Sequence, residues 1–164
     1  MKKQIILLNG PSSSGKSTLS KELQKLIYKK RNLKYEVISI DDFMKLGTDE
    51  TIYEDDVFDI SLDMCNAVLK ALESKDGAII DHVITSERIY AQLIEKVSDY
   101  NLFKVHVCCP LDILIKREIE RNNRCIGSAE ASYTYLYPKN EYDYSVDTHE
   151  NTSKECAEKI LLNI

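Results

Sequence analysis

The stretch Gly10-Pro11-Ser12-Ser13-Ser14-Gly15-Lys16-Ser17-Thr18 constrains this chain more than any other, because it satisfies every position of G-x-x-x-x-G-K-[ST]. Its flanks supply the context the pattern needs. Before it stands the apolar run Ile5-Ile6-Leu7-Leu8, closed by Asn9-Gly10-Pro11, which reads as a buried strand entering a loop. After it Leu19, Leu23, Leu26 and Ile27 recur at helical spacing, so a helix is expected over about residues 16–30. A chain that curls around an anion needs residues with little bulk, and Gly10 and Gly15 provide them. Successive backbone N–H groups then face inward and the positive end of the helix reinforces them. Lys16 adds a mobile charge for the β- and γ-phosphates of a nucleoside triphosphate, and the Ser17 hydroxyl is placed to ligate Mg²⁺. A Ser/Gly-rich turn that merely links strand to helix is rejected in this context.

Strand and helix signals keep alternating downstream. Residues 35–40 form a short β-branched run ending in Asp41-Asp42, and Phe58, Leu62, Cys65, Leu69 and Leu72 mark a helix. Gly77 opens a third strand closed by Asp81, and residues 87–97 read as a helix facing inward through Ile89, Tyr90, Leu93, Ile94 and Val97. Residues 103–109 supply a fourth strand. Pro110 suits the first turn of a helix carrying Leu111, Leu114, Ile115 and Ile119. From 121 to 144 the periodicity disappears, and a lid-like segment is expected there. A short strand at 144–147 and a helix at 153–162 close the chain. The expectation is an α/β domain spanning residues 1–164, with a parallel sheet of about five strands between two layers of helices.

Composition narrows the partners. The 164 residues carry 22 Lys and Arg against 27 Asp and Glu, and a net charge of −5 provides no field for nucleic acid or an anionic membrane. No apolar run approaches the ~20 residues of a bilayer span, and the N-terminus lacks a signal-peptide core, so a cytoplasmic location is expected. Five cysteines, odd in number and without a C-x-x-C pair, read as free thiols.

A nucleotide site alone does not name a reaction. No N-K-x-D base reader of a GTP switch is present, so a compact kinase is the more natural class, with an acceptor, a base near its hydroxyl, and cations over the moving phosphoryl group. Strand ends converge on the ligand crevice of a parallel sheet, which makes Asp41 the candidate base. Asp42 is its rival, and strand alternation would let only one of them face the acceptor. A cap for a following turn is the structural alternative for Asp41. Asp81 closes an apolar strand, as a magnesium-holding acid does, and a purely structural hydrogen-bonding acid is the competing reading. Arg117, Arg121 and Arg124 are spaced four and three apart, so a continuing helix would present them on one face. Guanidinium groups there could grip phosphate oxygens, or form a solvated face paired with Glu118 and Glu120. Tyr133, Tyr135, Tyr137, Tyr142 and Tyr144 are expected mostly to pack the lid onto the body, and His106 to be a core imidazole.

Several segments in order resemble the chloramphenicol phosphotransferase-like family of small P-loop kinases: residues 5–10, Ser12 to Ser17, Ile40-Asp41, Ile79-Ile80-Asp81, Arg117-Glu118, Arg121-x-x-Arg124, Glu141-Tyr142-Asp143, Val146-Asp147-Thr148 and Glu155-Cys156-Ala157. The resemblance implies a shikimate-kinase-like fold and ATP- and Mg²⁺-dependent phosphorylation of a small-molecule hydroxyl, chloramphenicol being one candidate acceptor. It matches Asp41 to the family's catalytic aspartate and Arg121 and Arg124 to its lid arginines. Tyr137 stands where the family has a histidine, Asp81-His82 replaces Asp-Asp, and the acceptor-binding stretch 43–59 shows little likeness. A nucleoside, shikimate-type or sugar-nucleotide kinase, and a nucleotide-gated binding protein, are the alternatives.

Overall fold

Ile5, Ile6, Leu7 and Leu8 are fully buried, as a strand covered on both faces requires. They belong to β1 (Gln4–Asn9), the central strand of the computed structural model, which describes residues 1–44 and 53–164. The chain continues through α1 (Lys16–Arg31), β2 (Tyr35–Ser39), a single 3-10 turn (Ile40–Asp42), α2 (Glu54–Ser74) and β3 (Gly77–His82). It then runs through α3 (Glu87–Lys96), β4 (Asn101–Cys108), α4 (Leu111–Arg121), α5 (Ser128–Tyr135), β5 (Tyr144–Asp147) and α6 (Ser153–Leu161).

The strands lie in the order β2-β3-β1-β4-β5, and every neighbouring pair is parallel. Side chains alternate across β1 and so divide the core. Ile5 and Leu7 join Met64, Val68, Ile89 and Leu93 of α2 and α3 on one face. Ile6 and Leu8 join Leu19, Leu23 and Ile27 of α1 and Cys156 and Ile160 of α6 on the other. Local chemistry sets the helix ends. Asn32 takes a left-handed φ of 55° just beyond α1, whose last turn carries Lys29, Lys30 and Arg31 against the negative end of the dipole. Thr152 and Glu155 cap α6 reciprocally.

The structure departs from the expected elements in three places. The second strand stops at Ser39, whose hydroxyl accepts from the Asp41 N–H and starts the 3-10 turn, so Asp41 and Asp42 diverge by helical rotation rather than strand alternation. The helix expected around residues 58–72 begins at Glu54, where Glu54, Asp55 and Asp56 complement the positive end of its dipole. The aperiodic segment 121–144 contains α5. That helix has no apolar stripe to betray it, burying only Ala129 and Ser132. Among the described residues no helix is long and apolar enough to cross a membrane.

Candidate active site

The loop leaving β1 is shaped by a close approach at one glycine and by a left-handed backbone at another. A Cβ on Gly10 would stand 2.4 Å from the Val107 carbonyl oxygen of β4, so only glycine lets the loop lie this close to the sheet. Gly15 has φ +87° and turns the loop into α1. Thr148, just past β5, braces the loop from outside by donating from Oγ1 to the Ser14 carbonyl at 2.6 Å. The Ser12 N–H donates to Ser132 Oγ of α5 at 2.9 Å.

Lys16 is 5% exposed, and its ammonium donates to the Pro11 carbonyl at 2.8 Å and to Ser14 Oγ at 3.3 Å. Burial pulls its pKa down to about 8; the carboxylates of Asp81 and Asp41 resist that fall, and Arg124 and Arg121 add to it. Ser17 Oγ donates to Asp81 Oδ2 at 2.7 Å, and Ser39 Oγ reaches the same oxygen at 3.2 Å. Asp81 is brought there by parallel pairing, opposite Leu8 of β1 on one side and Ser39 of β2 on the other.

Asp41 faces the loop from the 3-10 turn. Arg124 Nη1 donates to its Oδ1 at 3.1 Å and Nη2 to its Oδ2, a two-pronged ion pair. Burial alone would raise the Asp41 pKa, but the Arg124 hydrogen bond and charge, helped by Lys16 and Arg121, hold it below the usual carboxylate value. Asp42 is exposed.

One cavity of about 480 Å³ gathers Ser12, Ser13, Gly15, Lys16, Ser17 and Thr18 with Asp41, Asp81, Arg121 and Arg124. Gly10, Pro11 and Ser14 shape the loop from behind and do not line it. The arginines arrive differently from expectation. Asn122, at φ 48°, ends α4 immediately after Arg121, so Arg124 stands on the following loop rather than on the helix. Arg117 lines the cavity while donating to the Thr148 carbonyl at 2.9 Å, and Glu118, far from forming a solvated pair with it, is 2% exposed.

The tyrosines divide. Tyr142 stacks on His106 with ring centroids 4.8 Å apart, and Tyr137 meets Tyr90 edge-on at 5.6 Å. Tyr133 and Tyr135 are 46% and 67% exposed, so the expected packing fails for them. His106 is partly buried and faces the Cys108 sulfur at 3.2 Å. Sequence reasoning missed Ser39, Thr148 and Asn9. Asn9 is fully buried and joins three segments: its amide donates to the Tyr137 carbonyl and the Tyr142 hydroxyl, and its Oδ1 accepts from the Ile84 N–H. Thr148 had a signal, since it lies in a segment carrying the family resemblance.

The donor set suits a triphosphate with a hard cation. The Ser13 hydroxyl is buried with no protein partner, the Lys16 ammonium sits among loop oxygens, and Ser17 and Asp81 already touch. No group of three or more His, Cys, Asp and Glu among the described residues forms a cluster able to hold a metal. A divalent ion here would therefore rely on Asp81, Ser17 and phosphate oxygens, the manner in which Mg²⁺ is usually held.

Comparison with known proteins agrees with this picture. The family model described as chloramphenicol phosphotransferase-like protein matches residues 3–164. L-seryl-tRNA(Sec) kinase of Methanococcus maripaludis is 32% identical over 128 residues, 73% of this chain and 47% of the relative, so the chain spans about half that protein's length. Among solved structures, APS kinase of Mycobacterium tuberculosis in complex with AMPPNP and APS superposes with a TM-score of 0.76 at 16% identity, covering 99% of this chain and 97% of that one. Shikimate kinase of Acinetobacter baumannii bound to shikimate gives 0.65 at 18%, covering 98% and 95%. With a glycine-shaped loop between a central parallel strand and α1, Asp41 and Asp81 in the cavity beside it and a family match over nearly its whole length, the chain belongs to the chloramphenicol phosphotransferase-like family and has the P-loop kinase fold.

Proposed function

We propose that this chain is an ATP- and Mg²⁺-dependent phosphotransferase that moves the γ-phosphoryl group onto a hydroxyl of a small molecule. The observation that supports the reading is one cavity lined by Asp41 and residues of the phosphate loop together with Arg121 and Arg124. When bound, Mg²⁺-ATP supplies the transferable phosphoryl group and a divalent charge over its oxygens. The N–H groups of the loop would hold the phosphates, Lys16 would bring its charge to the β- and γ-oxygens, and the Ser17 hydroxyl and Asp81 carboxylate would hold the cation. Arg121 and Arg124 stabilise the charge that spreads over the phosphoryl oxygens as the bond to the leaving group stretches. Asp41 accepts a hydrogen bond from the acceptor hydroxyl, aims its oxygen at phosphorus, and takes its proton as the new bond forms. Arg124 has to release Asp41 before that step.

An acceptor screen reading ADP release tests this, with chloramphenicol, shikimate-type alcohols, sugars and nucleosides among its arms. Asp41→Asn should abolish acceptor-dependent release while ATP still binds. ADP release that no acceptor changes would favour the nucleotide-gated binding protein instead. The likeness to seryl-tRNA(Sec) kinase favours a second reading, with a seryl hydroxyl carried on tRNA as acceptor. The net charge of −5 opposes a polyanionic substrate, and a seryl-tRNA arm in the same screen separates the two.

A further inference from the structure

Glu118 is buried, and among the described residues its carboxyl group forms no ion pair. It lies on α4 between Arg117 and Arg121, which line the cavity, yet its carboxylate turns beneath the following loop. Oε2 accepts from the Gly127 N–H at 3.0 Å and Oε1 from the Ala129 N–H at 2.8 Å. These amides open α5, whose own N-cap, Gly127 at φ 98°, has no side chain to offer. A carboxylate from a neighbouring helix thus does the work of a cap, with its charge at the positive end of the helix dipole. The far side of α5 is held through Ser132 to the Ser12 N–H of the phosphate loop.

Between these fixed points runs the short loop 122–126. It leaves α4 at the left-handed Asn122 and carries Arg124 into the cavity. Glu118 ties the loop's far end back to α4, across nine residues to Gly127. We propose that Glu118 is a positioning residue for phosphoryl transfer, holding the loop so that Arg124 and Arg121 converge on the same phosphoryl group. The inference rests on the kinase reading above for its consequence in turnover, but the placement of Arg124 can be tested without it.

The buried Ala129 N–H and the part-buried Gly127 N–H each use one carboxylate oxygen, and Glu118→Gln leaves a single acceptor and sets an NH2 donor against the other amide, which releases the start of α5 and lets the arginine loop wander. Lys16 lies away from this helix start, and the phosphate loop meets α5 at Ser132, one turn past the amides that Glu118 holds. Glu118→Gln is therefore expected to lower kcat about ten-fold or more with little change in the KM for ATP, the pattern of an interaction made in the transition state. In an Arg124→Ala background the same substitution should have almost no further effect on kcat, because its influence passes largely through Arg124. Lys3→Ala, which uncaps α2 at the opposite end of the sheet by removing donors to the Leu72 and Lys75 carbonyls, should lower stability without touching kcat.

The measurement independent of turnover is a carboxyl NMR titration of Asp41 in the nucleotide-free protein. Glu118→Gln should move its midpoint up toward an ordinary aspartate, because Arg124 no longer stays on it. Glu118→Asp, which keeps the charge but is one methylene shorter, should fold and give a smaller shift in the same direction, and it stands in if the glutamine variant does not fold. An unchanged Asp41 titration in either folded variant, or kcat losses that multiply between Glu118→Gln and Arg124→Ala, would overturn the proposal. A shifted titration in a protein that turns over no acceptor would leave the placement of Arg124 standing and reject the kinase reading alone.

Discussion

Removing either partner of the Arg124–Asp41 pair should reveal an ion pair that exists only while the nucleotide site is empty. The side chains are 28% and 36% exposed, which places the pair between a surface bridge and a buried one. Exposed pairs are worth about 0.2–1 kcal/mol, whereas stripping one partner from a fully buried pair costs about 3–5 kcal/mol. Solvent screening at about one-third exposure pulls the expected coupling down to about 1 kcal/mol. For a chain of this size that corresponds to about 2–4 °C in Tm. The assay is a double-mutant cycle on urea unfolding with Arg124→Ala, Asp41→Asn and the double variant, run without nucleotide and then with Mg²⁺ and a non-hydrolysable ATP analogue. Without nucleotide the single losses should exceed additivity by about 1 kcal/mol; with it the coupling should vanish, since Arg124 turns to the phosphates. The pH dependence has a definite sign. The folded carboxyl of Asp41 lies below its unfolded value, so the pair's contribution is fully present above about pH 4 and is lost as pH falls through the lowered value. A coupling of zero in the empty protein, or one that survives saturation with the analogue, would refute the argument that the arginine serves two masters.

Two further outcomes follow from the phosphate loop. Gly10→Ala should destabilise the protein by about 1–3 kcal/mol and weaken ATP binding together, because its Cβ meets the Val107 carbonyl at 2.4 Å and the loop has to lift off β4; thermal melts beside nucleotide titrations check this, and a neutral effect on both would mean that the loop does not need that approach. Lys16, with its pKa pulled to about 8, should lose its proton as pH rises past that value, so ATP affinity falls on the alkaline side and binding takes up protons there. Calorimetry in buffers of different ionisation enthalpy measures that uptake, which Lys16→Ala should abolish.

The loop after the first strand, the alternation of strands and helices and the places of Asp81 in β3 and Arg121 at the end of α4 were legible from the sequence because each rests on local chemistry, whereas Asp41 was expected on a strand and stands in a 3-10 turn. A loop of adjacent residues carries its own backbone requirement, and a fully buried strand shows itself as an unbroken apolar run such as Ile5 to Leu8. The helix α5 was not legible. Its buried faces are small and polar, and its cap comes from Glu118, nine residues before Gly127 on another helix. Thr148 meets the Ser14 carbonyl across 134 positions, and Asn9 meets Tyr142 across 133. The stretch 43–59, expected to bind the acceptor and weak in family likeness, includes residues 45–52, which lie outside the described part of the chain. Periodicity and motifs report what a residue asks of its immediate neighbours in the chain. Which distant group answers a buried amide or carboxylate is settled only in the folded chain: the sheet order brings the β2 end to the phosphate loop, where Arg124 meets Asp41, and the packing of α4 on α5 sets Glu118 beneath the arginine loop.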